Sequence, residues 1–421
     1  MEVSCRLHSL SSGIVVFTKG EMEMSFFCHL PKEVAEEIML WVPADSLVRL
    51  KLLNKSWHSF ISGLINDLEF VDRHLYITKN MPTSTSLVFN NPCSHVDHDG
   101  RDCYAKMFSL LTISSGDGYG SNNKDHIVSV SEDLNVPCLR NESCRWDQWA
   151  WAYHCDGIIC LVKLYGTIML CNPALQESRI LPQSNKAIVG VAPFGMGFGY
   201  DAIADDYKFV AIWSFPSRTA KAEVYTLRTD CWREINMPQE LCKYYTQGYP
   251  YLDGLSWRGN CYWLLRNLVN GDAILCFNMC DEEFHITPLP NLENSAAAAS
   301  SYWLELFVWN DSVALLVSSE GNVSFEYQFF VMNNGVNGAC SWTKQLVIGP
   351  VIPGVIVKLS SWKKDEFFIH LVEDIDESKD GQLISYNFHT KKIRDIAVRD
   401  VDRLWHWACF YVKSLISVKR R

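Results

Sequence analysis

Three stretches of this 421-residue chain carry side chains that could do chemistry. His95-Val96-Asp97-His98-Asp99 places two imidazoles and two carboxylates close enough to ligate a metal ion. A metal site needs a full ligand set fixed in space, and no distant partner completes this one, so a solvated polar loop without metal is the expectation. Gly195-Met196-Gly197-Phe198-Gly199 has the glycine density of a phosphate-cradling loop. It lacks both the Gly-x-Gly-x-x-Gly spacing and the helix that must follow. Strand glycines that admit a close neighbour fit it better. The run Glu373-Asp374-Ile375-Asp376-Glu377-Ser378-Lys379-Asp380 could attract a basic partner, although such runs are ordinarily solvated loops. Neither Gly-x-Ser-x-Gly nor His-Glu-x-x-His occurs. These residues predict no catalytic set, no metal and no cofactor; they describe a chain that binds.

Composition narrows what it binds. Hydrophobic residues make up 48% and aromatics 13%, which is a folded chain rather than a disordered one. The net charge of −10 argues against nucleic acid, whose phosphates need a basic surface. An acidic surface instead steers basic partners. Sixteen cysteines form no Cys-x-x-Cys pair, and Cys160, Cys171, Cys261 and Cys276 sit in apolar runs where a free thiol acts as a small hydrophobe. That usage predicts a reducing compartment, the cytosol or also the nucleus. No run of about 18 apolar residues exists to span a membrane.

The elements fall into two parts. Leu30 to Gly63 reads as three short helices. Pro31 suits a first helical turn, where no N–H is needed. Val34, Ile38 and Trp41 fall at i, i+4 and i+7, one apolar stripe. Pro43 stops that helix, and Asp45 or Ser46 is placed to cap the next, on which Leu47 and Leu50 share a face. Trp57, Phe60, Ile61 and Leu64 stripe the third, with Gly63 a weak point. Asn66 to Leu75 continues as a turn and another helix, and Asn80 to Asp102 reads as a loop. So short a helical stretch cannot bury its apolar surface alone. Either a partner accepts these helices in a groove or they pack on the rest of the chain.

From about Asp156 a phrase recurs: an apolar strand, a turn, then a strand ending near Pro or a charged loop. It begins at Ile168, Ala222, Ala273, Phe329 and Leu383, roughly 50–55 residues apart, close to the period of one kelch-type blade. Further strands lie at 156–164, 207–213, 260–265, 312–318 and 367–372. Blades around an axis bury both faces of such sheets and leave only short edges; an irregular β-sandwich is the alternative, and the number of blades stays open.

The helical stretch also resembles a plant F-box, through Leu30-Pro31, Glu33-Val34, Glu37-Ile38, Pro43, Ser46-Leu47, Arg49 and Lys55-Ser56-Trp57. Asn54 stands where family members often carry cysteine, at a position expected to pack locally. The β region is similar to the F-box-associated domain of the same proteins, through Cys155-Asp156-Gly157, Cys171-Asn172-Pro173-Ala174, Gly197-Phe198-Gly199-Tyr200-Asp201 with Asp206-Tyr207-Lys208, Trp232-Arg233-Glu234-Ile235 and Ser341-Trp342-Thr343-Lys344. Glu132-Asp133-Leu134-Asn135 and the segment from Tyr411 to Val418 look most like the S-locus group, whose members recognise pistil ribonucleases in self-incompatibility.

The resemblance implies an α+β multidomain chain: a loose tail (1–23), a small N-terminal three-helix F-box (24–65), a linker helix and loop (66–100) and a large all-β, propeller-like, kelch-type F-box-associated domain (101–418). It further implies a non-catalytic substrate-recognition subunit of an SCF-type (Skp–cullin–F-box) ubiquitin ligase. The F-box docks a Skp-type adaptor, and through it a cullin, and the β domain holds a protein target. A basic S-ribonuclease would suit an acidic receptor. Adaptor contact then rests on Leu30, Pro31, Val34, Ile38, Leu47, Leu50 and Trp57. The alternative is a stand-alone propeller module for proteins or glycans.

Overall fold

The computed structural model describes residues 30–80, 85–96, 102–115, 127–133, 149–163, 166–184, 193–214, 220–238, 241, 254–265, 272–292, 302–320, 325–334, 340–348, 355–363, 365–372, 382–396 and 408–419. Helices come first: α1 (Lys32–Met39), α2 (Ala44–Leu50), α3 (Lys55–Asn66) and α4 (Leu68–Asn80). Pro31 and Pro43 each sit immediately before a helix, at φ −52° and −53°. The expected cap from Asp45 or Ser46 is not made. Proline's fixed φ starts α2 two or three residues earlier, the Pro43 carbonyl accepts the Leu47 N–H, and no side chain caps this helix. Asp45 is thereby left to pair with Lys413 and, more distantly, Arg49. Asn54 does cap α3, accepting the Trp57 N–H at 3.0 Å. Asn54 itself is exposed, so the residue expected to pack locally makes a local hydrogen bond instead.

The β region is a propeller of six four-stranded antiparallel sheets. Blade 1 holds β1 (Thr85–Val96), β2 (Asp102–Ser115) and β3 (Ile127–Asp133), and its innermost strand is the last of the chain, Ala408–Tyr411, paired with β1. Blade 2 is β4 (Trp149–Cys155), β5 (Ile158–Lys163), β6 (Ile168–Asn172) and β7 (Glu177–Ile180). Blade 3 is β8 (Gly195–Asp201), β9 (Asp206–Ser214), β10 (Ala220–Thr226) and β11 (Cys231–Ile235). Blade 4 is β12 (Gly254–Trp257), β13 (Asn260–Leu265), β14 (Ala273–Asn278) and β15 (Phe284–Pro288). Blade 5 is β16 (Tyr302–Trp309), β17 (Ser312–Glu320), β18 (Phe325–Asn334) and β19 (Cys340–Ile348). Blade 6 is β20 (Val355–Lys363), β21 (Glu366–Val372), β22 (Gln382–Asn387) and β23 (Lys392–Asp395), which leaves Ala408–Tyr411 as β24. The inner strands β4, β8, β12, β16 and β20 meet in that order, and β24 abuts β4.

The recurring phrase is the third and fourth strand of a blade, and the turn between them explains its residues. Asn172, Asn278 and Asn387 each end a third strand, and each Oδ1 accepts backbone N–H groups two and three residues on. The turn closes on a residue at positive φ: Gln176 (53°), Asp230 (55°), Glu282 (60°) and Lys391 (59°). Tryptophan on a fourth strand staples it to the blade before. Trp232 Nε1 donates to the Pro182 carbonyl at 2.7 Å, and Trp342 Nε1 to the Pro288 carbonyl at 3.0 Å.

Two readings change. The stretch from Asn80 to Asp102, read as a loop and linker, contains β1; the Asn-Asn-Pro that suggested a loop sits within a twelve-residue ladder to β2, anchored by buried Leu87 and Val88. The β-sandwich alternative is gone, because each sheet packs on its neighbours around an axis instead of against one partner sheet. No helix among the described residues is long and apolar enough to cross a membrane.

Candidate functional site

The helical module buries one side and leaves the other apolar and open. Ala35, Met39, Leu40, Ala44 and Leu47 are buried, together with Ile61 and Leu64 of α3 and Phe70 and Val71 of α4. The stripe of Val34, Ile38 and Trp41 points the other way, with exposures of 44%, 41% and 60%. Leu52 (84%) and Leu53 (63%), in the turn between α2 and α3, are also open. Scattered single apolar residues on a surface mean little, whereas a group of them is the kind of surface that partners cover; Leu68 (47%) and Tyr76 (70%) of α4 are open as well.

The expected contact residues therefore divide. Pro31, Val34 and Ile38 are exposed; Leu30, Leu50 and Trp57 are half-buried; Leu47 is wholly inside. Trp57 packs edge-on to Phe60 at 6.2 Å, and both rings lie against the core. Leu52 and Leu53 were missed. Their signal is an apolar pair in the turn just before the Asn54 cap.

The module is anchored to the propeller through residues 412–418. Leu415, Ile416 and Val418 are buried in one apolar cluster with helical residues (Met39, Leu47, Phe70) and blade 2 and 3 residues (Ile158, Leu170, Phe209). Asn172 Nδ2 donates to the carbonyls of Ser414 (3.0 Å) and Ile416 (2.7 Å). Ser417 Oγ and the Val418 N–H donate to Glu177 Oε2 at 2.6 and 3.2 Å. Ser414 Oγ donates to the Asp156 carbonyl at 2.5 Å. Two ion pairs then reach the helices: Lys413 Nζ to Asp45 at 3.0 Å, and Lys79 of α4 to the Asp156 carboxylate. Tyr207 OH also donates to Asp156 Oδ2, at 3.1 Å.

Gly157 lets this segment come so close. It has φ +86°, and a Cβ there would collide with Ser414 and come within 2.7 Å of the Val412 carbonyl. Its N–H donates to His154 Nε2 at 3.0 Å, which places that ring's proton on Nδ1. Burial holds the His154 pKa down to about 4. Burial also lowers His74, whose Nε2–H donates to the Val42 carbonyl at 2.8 Å and ties α4 to the α1–α2 connection.

The glycine-rich stretch is strand β8, not a phosphate loop. A Cβ on Gly197 would strike Cys261, and one on Gly199 would press Met279 at 3.3 Å. In the same motif Lys208 is buried between Asp201 (2.5 Å) and Glu282 (2.6 Å). Burial works against its charge, but the hydrogen bonds to those two acids outweigh it and hold its pKa above the ordinary lysine value. Among the described residues no group of His, Cys, Asp and Glu is arranged to hold a metal. Asp97–Asp99 and the acidic run 373–380 lie outside the described residues.

Residues 106–418 match the family described as the F-box associated beta propeller domain, and residues 27–68 match the F-box domain. The chain is 24% identical over 419 residues to the F-box/kelch-repeat protein At3g17530 of Arabidopsis thaliana, covering 93% of this chain and 95% of that one. It is 27% identical over 266 residues to the putative F-box protein At3g16210 of the same plant, spanning 62% of this chain and 61% of the relative. The propeller domain of the Trilobed protease from Pyrococcus furiosus is similar at a TM-score of 0.36 and 7% identity, covering 74% of this chain and 80% of that one. With the propeller family matched over most of its length and the F-box ahead of it, the chain belongs to the plant-type F-box proteins that carry an F-box associated β-propeller.

Proposed function

We propose that this chain is the substrate receptor of an SCF-type ubiquitin ligase, with the helices docking a Skp-type adaptor and the propeller holding the protein to be modified. The observation that carries the reading is the open apolar face of α1 and the α2–α3 turn, on a module whose other side is already packed on the propeller. Pro31, Val34, Ile38, Trp41, Leu52 and Leu53 make the adaptor contact. Leu30, Leu50 and Trp57 border it, and Leu47 supports it from within. Bond making belongs to the ubiquitin-conjugating partner; this chain supplies proximity by holding target and enzyme in one assembly. It works in the cytosol or nucleus.

The target is a basic protein. The net charge of −10 favours one, and the likeness to the S-locus group makes a pistil S-ribonuclease the first candidate. Receptors place variable contacts on loops.

The test is co-purification with a Skp-type adaptor. The full chain should capture it, and a folded Ile38→Asp variant should not. Equal capture by both would place the adaptor contact elsewhere. No capture by the folded full chain would leave a stand-alone binding module.

A further inference from the structure

Proximity is useful only if the two ends of the receptor keep a fixed relation, and the structure shows a segment that holds them together. A cavity of about 310 Å³ separates α4 from the hairpin turns of blades 2 and 3, lined by Tyr76, Lys79, Asp156, Tyr200, Arg228 and Ser417 among others. Beside this cavity the helices pack closely on the propeller. They meet it along the apolar cluster shared with Leu415, Ile416 and Val418, and at the two ion pairs, Lys413 with Asp45 and Lys79 with Asp156. Both pairs converge on one place, because Asp156 also receives Ser414 through its carbonyl.

We propose that residues 412–418 set the orientation of the helical module on the propeller, and that Asn172, Glu177 and Gly157 are positioning residues acting through that strap. The inference rests on the receptor reading above. It assigns a task to residues outside the open apolar face of the helices. Asn172 shows the distinction best. Asn172, Asn278 and Asn387 all close a strand-to-strand turn with Oδ1. Asn172 alone of the three is wholly buried, and its Nδ2 donates to the strap. The turn role is repeated around the ring; the strap role belongs to blade 2. Glu177, the first residue of the strand after that turn, takes two further strap donors on Oε2.

The experiment is hydrogen exchange on the full chain, with adaptor capture measured in parallel on the same preparations. Asn172→Ala should raise exchange in α2 and α4 by roughly tenfold or more while blades 4 to 6 keep their protection, as expected for a local opening. Asn278→Ala, which breaks the equivalent turn in blade 4, should leave α2 and α4 unchanged. Lys413→Asp should loosen the same helices, and the charge exchange Asp45→Lys with Lys413→Asp should restore most of the protection. Unchanged helices in Asn172→Ala would overturn the proposal. So would equal loosening by Asn278→Ala, or a charge exchange no better than Lys413→Asp alone. Adaptor capture reports separately on the receptor reading: its absence with the exchange pattern intact removes that reading and leaves the strap standing as a structural lock.

Discussion

One substitution, glycine to alanine, should change stability in opposite directions at two places in this chain. At Gly157 the backbone sits at φ +86°, where an L-residue is strained by about 1–3 kcal/mol. The added Cβ also meets both side-chain atoms of Ser414 and approaches the Val412 carbonyl to 2.7 Å. Those neighbours cannot swing aside freely, since Ser414 is wholly buried and hydrogen-bonded to the Asp156 and Asn172 groups. Overpacking of this kind costs about 1–3 kcal/mol, and displacing the strap weakens hydrogen bonds worth about 1 kcal/mol each. Gly157→Ala should therefore destabilise the chain by about 3–5 kcal/mol. Gly63 lies on the exposed side of α3 with nothing within 4 Å of an added Cβ. There alanine relieves the helix penalty of glycine, a gain of about 0.5–1 kcal/mol. Urea unfolding followed by tryptophan fluorescence, with the slope checked to be unchanged, measures both. A loss below about 1 kcal/mol for Gly157→Ala would mean that the strap moves freely, and the account of why it lies so close would be wrong.

Three further outcomes follow from the same geometry. His154 is neutral in the folded chain with a pKa near 4, below the ordinary 6.5, so the unfolded chain binds its proton first as pH falls. Its contribution is complete above about pH 6.5 and is lost progressively towards pH 4, on the order of 3 kcal/mol; His154→Gln should flatten that part of the pH–stability curve. Lys208→Met leaves the buried Asp201 carboxylate of blade 3 without its cation, while Glu282 keeps Arg233, and should cost about 3–5 kcal/mol in urea unfolding. Leu47→Ala should cost about 2–5 kcal/mol because the side chain is wholly buried, whereas exposed Leu53→Ala should change stability by less than about 0.5 kcal/mol and weaken adaptor capture.

The short-range structure was legible in the sequence, and the long-range structure was not. The third and fourth strands repeat because the turns of blades 2, 3, 4 and 6 are each closed within four residues by their own asparagine or their own positive-φ residue. Such a unit leaves a phrase that recurs. Blade 1 leaves none: three of its strands come from residues 85–133 and the fourth from 408–411, so no local period contains it. That is why the number of blades stayed open and β1 read as a loop. The helical site was half legible. Periodicity found the Val34, Ile38 and Trp41 stripe, but periodicity does not say which way a stripe faces, and this one faces outwards. The buried side of α1 is carried by Ala35 and Met39, two residues with weaker apolar signals.

The family's most recognisable phrases turn out to be neighbours. Cys155-Asp156-Gly157 receives Ser414 from 258 residues away, and Asn172 reaches the Ser414 carbonyl across 242. Lys413 finds Asp45 across 368. No spacing rule pairs residues so far apart, which is why each phrase could be recognised without its purpose being readable. The arrangement has a physical economy. Closing a long loop costs entropy that grows only with the logarithm of its length, so bringing the C-terminal segment back is scarcely harder for 320 residues than for half as many. Once β24 has joined blade 1, residues 412–418 are already beside blade 2, and fixing the helices there requires ordering only a few more residues. A separate tether for the helical module would need its own closure and its own buried surface. Ring closure and module anchorage thus share one segment, and a change that loosens the strap is expected to disturb both.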